Sequence, residues 1–264
     1  YNLFSKCFSS KFELILDKSD LDGLSEEVIS AAYESATQKM DNAESDNDKE
    51  KYKDKYLFTP HRTSMYPFLT ESTRRDLREK LYNSYVMRGD NNNETDNKKI
   101  AVQIAKLRVD RANIMGYETH AHYVLEENML KTPEEVYDLL IQLWKPALKR
   151  AKKEVDDMQT VVDTEGKDFK IAAWDWWHYS EKVRKQKYDL DESAIRPYLS
   201  LDNVIQGVFN TTNKLWGLNF REIFDIDLYH PDARIWEVTD KDGSHLAIFI
   251  GDYFTRSNKR GGAW

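Results

Sequence analysis

The chain has 264 residues, of which 32% are charged, and it carries a formal net charge of -7. This length allows one large domain or two small ones, and the negative charge disfavours a nucleic acid or an anionic membrane as partner unless a local basic patch holds it. The two basic runs, residues 149–153 and 182–187, have acidic neighbours and are typical of solvated helix faces. We therefore expect neither partner.

Cys7 is the single cysteine, which excludes an intrachain disulfide and a cluster of thiolate metal ligands. It is also the one residue that could act as a cysteine nucleophile, and its neighbours indicate no paired histidine. No apolar run reaches the ~18–20 residues that a membrane-spanning helix needs. We expect a soluble protein, and the composition permits either the cytoplasm or the periplasm.

Apolar residues recur at helical spacing along most of the chain. Predicted helices cover residues 25–40, from 72 to about 88, about 96–115, from about 119, 133 to about 162, 176–188 and from about 201 to 216.

Three features interrupt this pattern. Residues 41–55 are almost entirely charged or polar, which predicts a mobile surface loop or a frayed helix end with nothing buried. Residues 56–59 are predicted to be extended before Pro60, and Pro67 is predicted to break the next segment.

Thr132-Pro133-Glu134-Glu135 is the clearest helix start in the sequence. Thr can cap a helix, Pro is favoured at its first position, and Glu135 can complete a capping box. The helix that follows is predicted to be about 30 residues long, with a kink at Pro146 because proline removes one backbone donor.

The spacing of apolar residues changes near the end of the chain from a helical to a strand-like pattern. Residues 234–239 and 245–254 are rich in β-branched and aromatic residues, and Asp242-Gly243 between them is a hairpin signal. We predict a mainly α fold with a small β-hairpin at about residues 233–255, and a single helical portion without an internal domain boundary.

Residues 173–179, AWDWWHY, raise the possibility of a stacking platform for a sugar. Carboxylates surround it: Asp175, Glu181, Asp189, Asp191 and Glu192. A structural role is favoured, because Asp175 is well placed to cap the following helix and Trp176, Tyr179 and Val183 share one helical stripe.

The histidines offer little for a metal site. His120 and His122 are two residues apart and would point about 200° apart on a helix. His122 and Glu126 could share an ion, but no third ligand is in reach. Motifs for serine hydrolysis, phosphate binding and dinucleotide binding are absent from the sequence.

A set of short motifs between residues 120 and 264 resembles a known family, and the resemblance extends over nearly the whole chain. Residues 174–198 carry Trp174-Asp175, Tyr179, Glu181-Lys182, Arg184-Lys185, Lys187-Tyr188, Leu190-Asp191-Glu192 and Arg196-Pro197-Tyr198. Residues 120–134, 243–246 and 252–264 agree in the same order. Together they resemble the zinc metallopeptidases of the thimet oligopeptidase and neurolysin family, and within it the peptidyl-dipeptidases.

The resemblance implies a zincin-like, mainly α fold and hydrolysis of short peptides by metal-activated water. Members use an HExxH helix and a later Glu as zinc ligands. None of the six histidines here begins HExxH: they are His61, His120, His122, His178, His230 and His245. We therefore interpret the chain as an internal portion of a larger peptidase, with no catalytic or metal-binding residue of its own, no zinc bound by it alone, and no activity alone.

The same resemblance places these helices in one wall of a deep substrate channel. It implies that Arg256, Lys259 and Arg260 could attract a peptide carboxylate, although ordinary surface charges would look the same. The implied partners are short peptides and the remaining N- and C-terminal parts of the parent. The alternative is a non-catalytic helical binding module derived from such a peptidase.

Overall fold

The computed structural model describes residues 12–188, 192–254, 256 and 259. The chain divides into two compact units, residues 1–189 and 190–264. That all 264 residues form one portion of a larger domain stays a prediction. Cys7 and Arg260 lie outside the described residues.

Most of the described residues lie in helices, which confirms the mainly α class. The helices are α1 (Glu26–Asp41), α2 (Asp46–Tyr52), α3 (Arg62–Glu71), α4 (Arg75–Val86), α5 (Lys98–Ile114), α6 (His120–Leu125), α7 (Pro133–Thr164), α8 (Trp176–Tyr188), α9 (Glu192–Ile195) and α10 (Leu201–Trp216). The strands are β1 (Leu14–Leu16), β2 (Tyr56–Phe58), β3 (Asn219–Ile223), β4 (Arg234–Thr239) and β5 (His245–Gly251).

The main core of the first unit forms where α1, α3 and α4 meet the two-stranded sheet. β1 and β2 pair antiparallel with Leu14 opposite Phe58. Met65, Phe68 and Leu69 of α3 are completely buried against this sheet. Burying such side chains contributes roughly 1.5–3 kcal/mol each, so α3 is held mainly by its packing.

Pro67 lies inside α3, so the predicted break at this position is wrong. Proline removes one backbone hydrogen bond from a helix interior. The apolar residues on either side of it are buried, and their packing outweighs the lost bond. Local propensity is overridden here by tertiary burial.

The charged segment at residues 41–55 also differs from the expected mobile loop or frayed helix end with nothing buried. Residues Asp46–Tyr52 form α2, and Ser45 caps it by accepting from the backbone N–H of Asp48 at 3.1 Å. Tyr52 is buried and its hydroxyl donates to Glu13 at 2.6 Å. A single aromatic side chain therefore anchors a helix whose other residues remain solvated.

The long helix predicted after Thr132 is confirmed as α7, which has 32 residues and the complete capping box. Only its C-terminal half has a core. Met158, Val161 and Val162 pack against Tyr179 of α8 in a second hydrophobic cluster. The N-terminal half of α7 is exposed, and so is most of α5.

A buried ion cluster joins α4 to the beginning of α8. The carboxylate of Asp175 accepts from Arg75 Nη2 at 2.9 Å and from Arg78 Nη2 at 2.8 Å. Asp175 is fully buried and Arg78 is 1% exposed. Arg78 Nη1 also donates to the carbonyl of Ser72 at 2.7 Å. Charges this deep need partners, so the cluster fixes the register between two segments that lie far apart in the sequence.

This role replaces the predicted N-cap. Residues Ala173–Asp175 form a 3-10 turn that runs directly into α8, so the chain is already helical at Asp175. Its carboxylate turns back to accept from the backbone N–H of Ala172 at 3.1 Å and faces α4 rather than the next turn of α8.

In the second unit, α10 packs on an antiparallel sheet of order β3-β4-β5. The predicted hairpin is confirmed as β4 and β5, and β3 is a third strand that the sequence pattern did not indicate. Phe209 of α10 stacks on Phe220 of β3 with ring centroids 4.0 Å apart. α10 ends at Gly217, whose φ of 79° is a left-handed conformation that suits glycine.

We predict that Asp175→Ala lowers the free energy of unfolding by about 3–5 kcal/mol, because it leaves Arg78 charged and buried without its carboxylate. Urea unfolding followed by circular dichroism measures the change. Glu154→Ala is the matched control: it removes an exposed carboxylate paired with Arg150 at 2.8 Å, and we expect less than about 0.5 kcal/mol. Equal losses in the two variants would contradict the importance of the buried cluster.

Candidate functional site

The aromatic residues at 174–179 are packed rather than presented to a ligand. Trp177 stacks on Tyr66 with centroids 5.5 Å apart and also contacts Tyr82 at 6.0 Å. Tyr179 is 1% exposed and belongs to the cluster between α7 and α8. The structural interpretation of this motif is therefore confirmed.

The carboxylates around these rings are likewise engaged by arginine. Asp175 is held by Arg75 and Arg78, and Glu181 accepts from Arg184 Nε at 2.7 Å and Nη2 at 2.8 Å. Asp189 and Asp191 lie outside the described residues, as does the side chain of Glu192. The described part of the cluster holds ion pairs and offers no pair of carboxylates poised on either side of a sugar.

His178 is a buried neutral side chain that ties α8 to α3. Its Nδ1 lies 2.9 Å from the carbonyl oxygen of Thr70, so Nδ1 carries the proton and donates it. Burial, followed by the positive charges of Arg78 and Lys182, lowers the pKa of His178 to about 4. This imidazole acts as a hydrogen-bond donor in the core at neutral pH.

The remaining histidines that the structure describes do not assemble a metal centre. His122 lies 2.8 Å from the hydroxyl of Thr119, while Glu126 accepts a hydrogen bond from Tyr117, so the pair His122–Glu126 is not formed. Among the described residues, no group of three or more His, Cys, Asp or Glu side chains could hold a metal ion. The donor set present in the described residues therefore does not fit zinc.

Two of the candidate channel residues gather around Asp252, directly after β5. Arg256 Nη1 donates to Asp252 Oδ1 at 2.9 Å, and Lys259 Nζ lies 2.7 Å from the same oxygen. The hydroxyl of Tyr229 donates to Oδ2 at 2.8 Å. We call these four residues the Asp252 cluster. The structure therefore brings together Arg256 and Lys259, which the sequence singled out, with a carboxylate that it did not.

The electrostatics of the Asp252 cluster follow from this geometry. Hydrogen bonds from Arg256 and Lys259 hold the pKa of Asp252 far below its usual range, and the bond to Asp252 raises the pKa of Tyr229. Two cations face one anion, so the cluster retains a net positive charge. The side chain of Lys259 is 27% exposed and that of Arg256 is 18% exposed, so Lys259 is the more accessible cation.

The ring of Tyr253 lies over Gly251, the last residue of β5. A Cβ added at Gly251 would come within 2.6 Å of the end of the Tyr253 side chain and would displace it. The spacing of Asp252 and Arg256, four residues apart, is the sequence signal that could have revealed their pairing.

Comparison with known proteins identifies the family. Residues 68–264 match Peptidase family M3. The chain belongs to this family. It is 37% identical to the dipeptidyl carboxypeptidase of Escherichia coli K12 over 95% of the chain, and 35% identical to that of Salmonella typhimurium over 94%. It is 30% identical to oligopeptidase A of E. coli over 96% of the chain.

The membership in family M3 confirms the resemblance found in the sequence motifs. The chain spans 35% of the length of both dipeptidyl carboxypeptidases and 36% of that of oligopeptidase A, about a third in each case. Among the described residues, no helix has the length and apolar character to cross a membrane.

We predict that stability falls as the pH is lowered from 6.5 toward 4, because the unfolded chain takes up a proton on His178 at its ordinary pKa of 6.5 while the folded chain resists until about 4. The loss between pH 7.5 and pH 5 should be about 2 kcal/mol from this residue. Urea midpoints at the two pH values measure it.

The control for this prediction is His178→Asn, whose amide can still donate to Thr70 but does not titrate. It should reduce the pH dependence without abolishing it, since burial also lowers the pKa of His61. An unchanged pH dependence in His178→Asn would show that other groups carry the effect.

Proposed function

We propose that this chain is part of a zinc metallopeptidase that hydrolyses short peptides and releases C-terminal dipeptides. The observation that carries the proposal is the higher identity to the two dipeptidyl carboxypeptidases, 37% and 35%, than to oligopeptidase A, 30%, over nearly the same stretch of chain. The exopeptidase assignment therefore rests on overall likeness, and the peptidase assignment on the family as a whole.

In this proposal the zinc and its first ligands belong to the parent protein outside these 264 residues. The sequence has no HExxH, and the described His and carboxylate side chains do not form a ligand group. Zinc would supply a polarised water for attack on the amide carbonyl. The contribution of this chain is structural: its helices would form part of the wall that admits short peptides, together with the remaining N- and C-terminal parts of the parent.

We further propose that the Asp252 cluster favours a peptide carboxylate. Lys259 is a compact cation with three donors, and its bonds to Asp252 leave a net positive charge across the cluster. Because Asp252 compensates part of that charge, the attraction should be modest, comparable to an exposed ion pair. Arg260 is included in the proposal on sequence grounds alone.

The proposal for the parent predicts that the complete product of the gene binds zinc and releases a dipeptide from a blocked tripeptide, whereas the 264-residue chain does neither. Metal analysis after dialysis and chromatography of the products measure both properties. Reading the gene beyond the codon for Trp264 shows whether an HExxH follows.

Stoichiometric zinc or dipeptide release by the 264-residue chain would contradict the assignment of the metal site to the rest of the parent. A complete gene product without peptidase activity would favour the alternative, a non-catalytic helical binding module. Cleavage at internal bonds only would overturn the exopeptidase assignment and would leave the family membership unaffected.

The proposal for the Asp252 cluster predicts that Lys259→Met in the complete enzyme lowers kcat/KM about fivefold for a peptide with a free C-terminal carboxylate, which corresponds to about 1 kcal/mol. The same peptide with an amidated C-terminus should be cleaved at an unchanged rate. Lys214→Met, which removes an exposed lysine of α10, is the matched control. Equal losses on both peptides would rule out recognition of the carboxylate by Lys259.

A further inference from the structure

Residues 98–148, which contain α5, α6 and the N-terminal half of α7, form helices with almost no core. All of these residues are described, and only Ala112 among them is buried. We call residues 98–148 the exposed helical segment. Isolated helices are marginally stable in water, and most helical stability in proteins comes from packing of an apolar face. The helices of this segment therefore lack the contacts that usually hold such elements.

The first half of α7 has apolar residues on two sides of a narrow polar stripe. Asp138, Gln142 and Lys145 follow one another at helical spacing and form the stripe. Large apolar side chains flank it, with these exposed fractions: Tyr137 68%, Leu139 43%, Leu140 51%, Ile141 48%, Leu143 59% and Trp144 61%. A helix with apolar residues over so much of its surface is typical of one that has neighbours on more than one side.

The second half of the same helix shows what these side chains lack. Met158 is 1% exposed and Val162 is completely buried, because α8 lies against them. Tyr137, Leu140 and Trp144 repeat the same kind of stripe about four to seven turns earlier, where they remain exposed. An uncovered apolar patch of this extent marks an interaction surface.

α5 adds a charge pattern to this apolar surface. It carries five basic residues and one acidic residue, in a chain whose net charge is -7. Lys106 and Arg108 are exposed, next to Leu107 at 58% and Val109 at 53%. A surface that fits α5 would therefore be apolar with carboxylates at its edge.

The length of the relatives indicates where such a surface comes from. The chain spans 35% of the dipeptidyl carboxypeptidase of E. coli, so about two thirds of that protein has no counterpart in these 264 residues. We propose that the exposed helical segment is covered by helices from the part of an M3 peptidase that lies outside this sequence, packed on both apolar sides of α7. This proposal rests on the proposed function, in which the chain is one part of a larger peptidase.

Hydroxyl-radical footprinting tests the proposal on two proteins, the 264-residue chain and the complete product of its gene. We expect labelling of Tyr137 and Trp144 to fall several-fold in the complete product. Labelling of Tyr198, an exposed residue outside the segment, calibrates the radical dose within each protein.

A matched pair of variants separates the apolar sides of α7 from its polar stripe. Leu140→Glu should lower the thermal midpoint of the complete product and leave the urea midpoint of the 264-residue chain unchanged, because Leu140 is already exposed there. Gln142→Glu introduces the same residue on the polar stripe and should change neither protein.

Three results would overturn the proposal. Tyr137 and Trp144 could be labelled equally in both proteins, or the gene could end at Trp264. Alternatively, the 264-residue chain could bury them by forming a dimer, detected by sedimentation at increasing concentration. If the segment is protected in a complete product that has no peptidase activity, the interface stands and the proposed function is refuted. If the complete product is active but the segment is labelled as in the 264-residue chain, the proposed function stands and the interface is refuted.

Discussion

The buried ion cluster of Asp175 with Arg75 and Arg78 is the constraint on which the first unit depends. It links α4 to the turn before α8, and α8 in turn carries Tyr179 to the core under α7. Charge burial is unfavourable unless geometry and hydrogen bonding compensate it, and here the carboxylate of Asp175 compensates the buried charge of Arg78. The hydrogen bond from His178 to Thr70 ties the next turn of α8 to α3.

The two units use different means to position their charged residues. In the first unit, the ion pairs of Asp175 lie inside the core and orient helices. In the second unit, ion pairs lie on the strands and at their ends: Arg234 binds Glu222 across the sheet at 2.7 Å, and Asp252 gathers Arg256 and Lys259 after β5.

The exposed apolar surface and the length of the relatives agree on one point, namely that the exposed helical segment lacks packing partners. A hydrophobic core forms between two packed surfaces, and residues 98–148 supply only one of them. Family M3 relatives have about three times the length that this chain covers. The role proposed for the chain, a scaffold that helps to shape a peptide channel, requires the surfaces that these residues leave uncovered.

The sequence by itself determined the mainly α class, the start of α7 at Thr132, the end of α10 at Gly217, the hairpin and the family, because capping, left-handed glycine and spaced motifs act over a few residues. It missed β3, whose arginine and glutamate conceal the alternation, and it placed a break at Pro67. Tertiary structure alone decided that α3 continues through Pro67 and that Asp175 pairs with two arginines about 100 residues earlier. These outcomes depend on which distant groups share a buried site, and no local pattern encodes that choice.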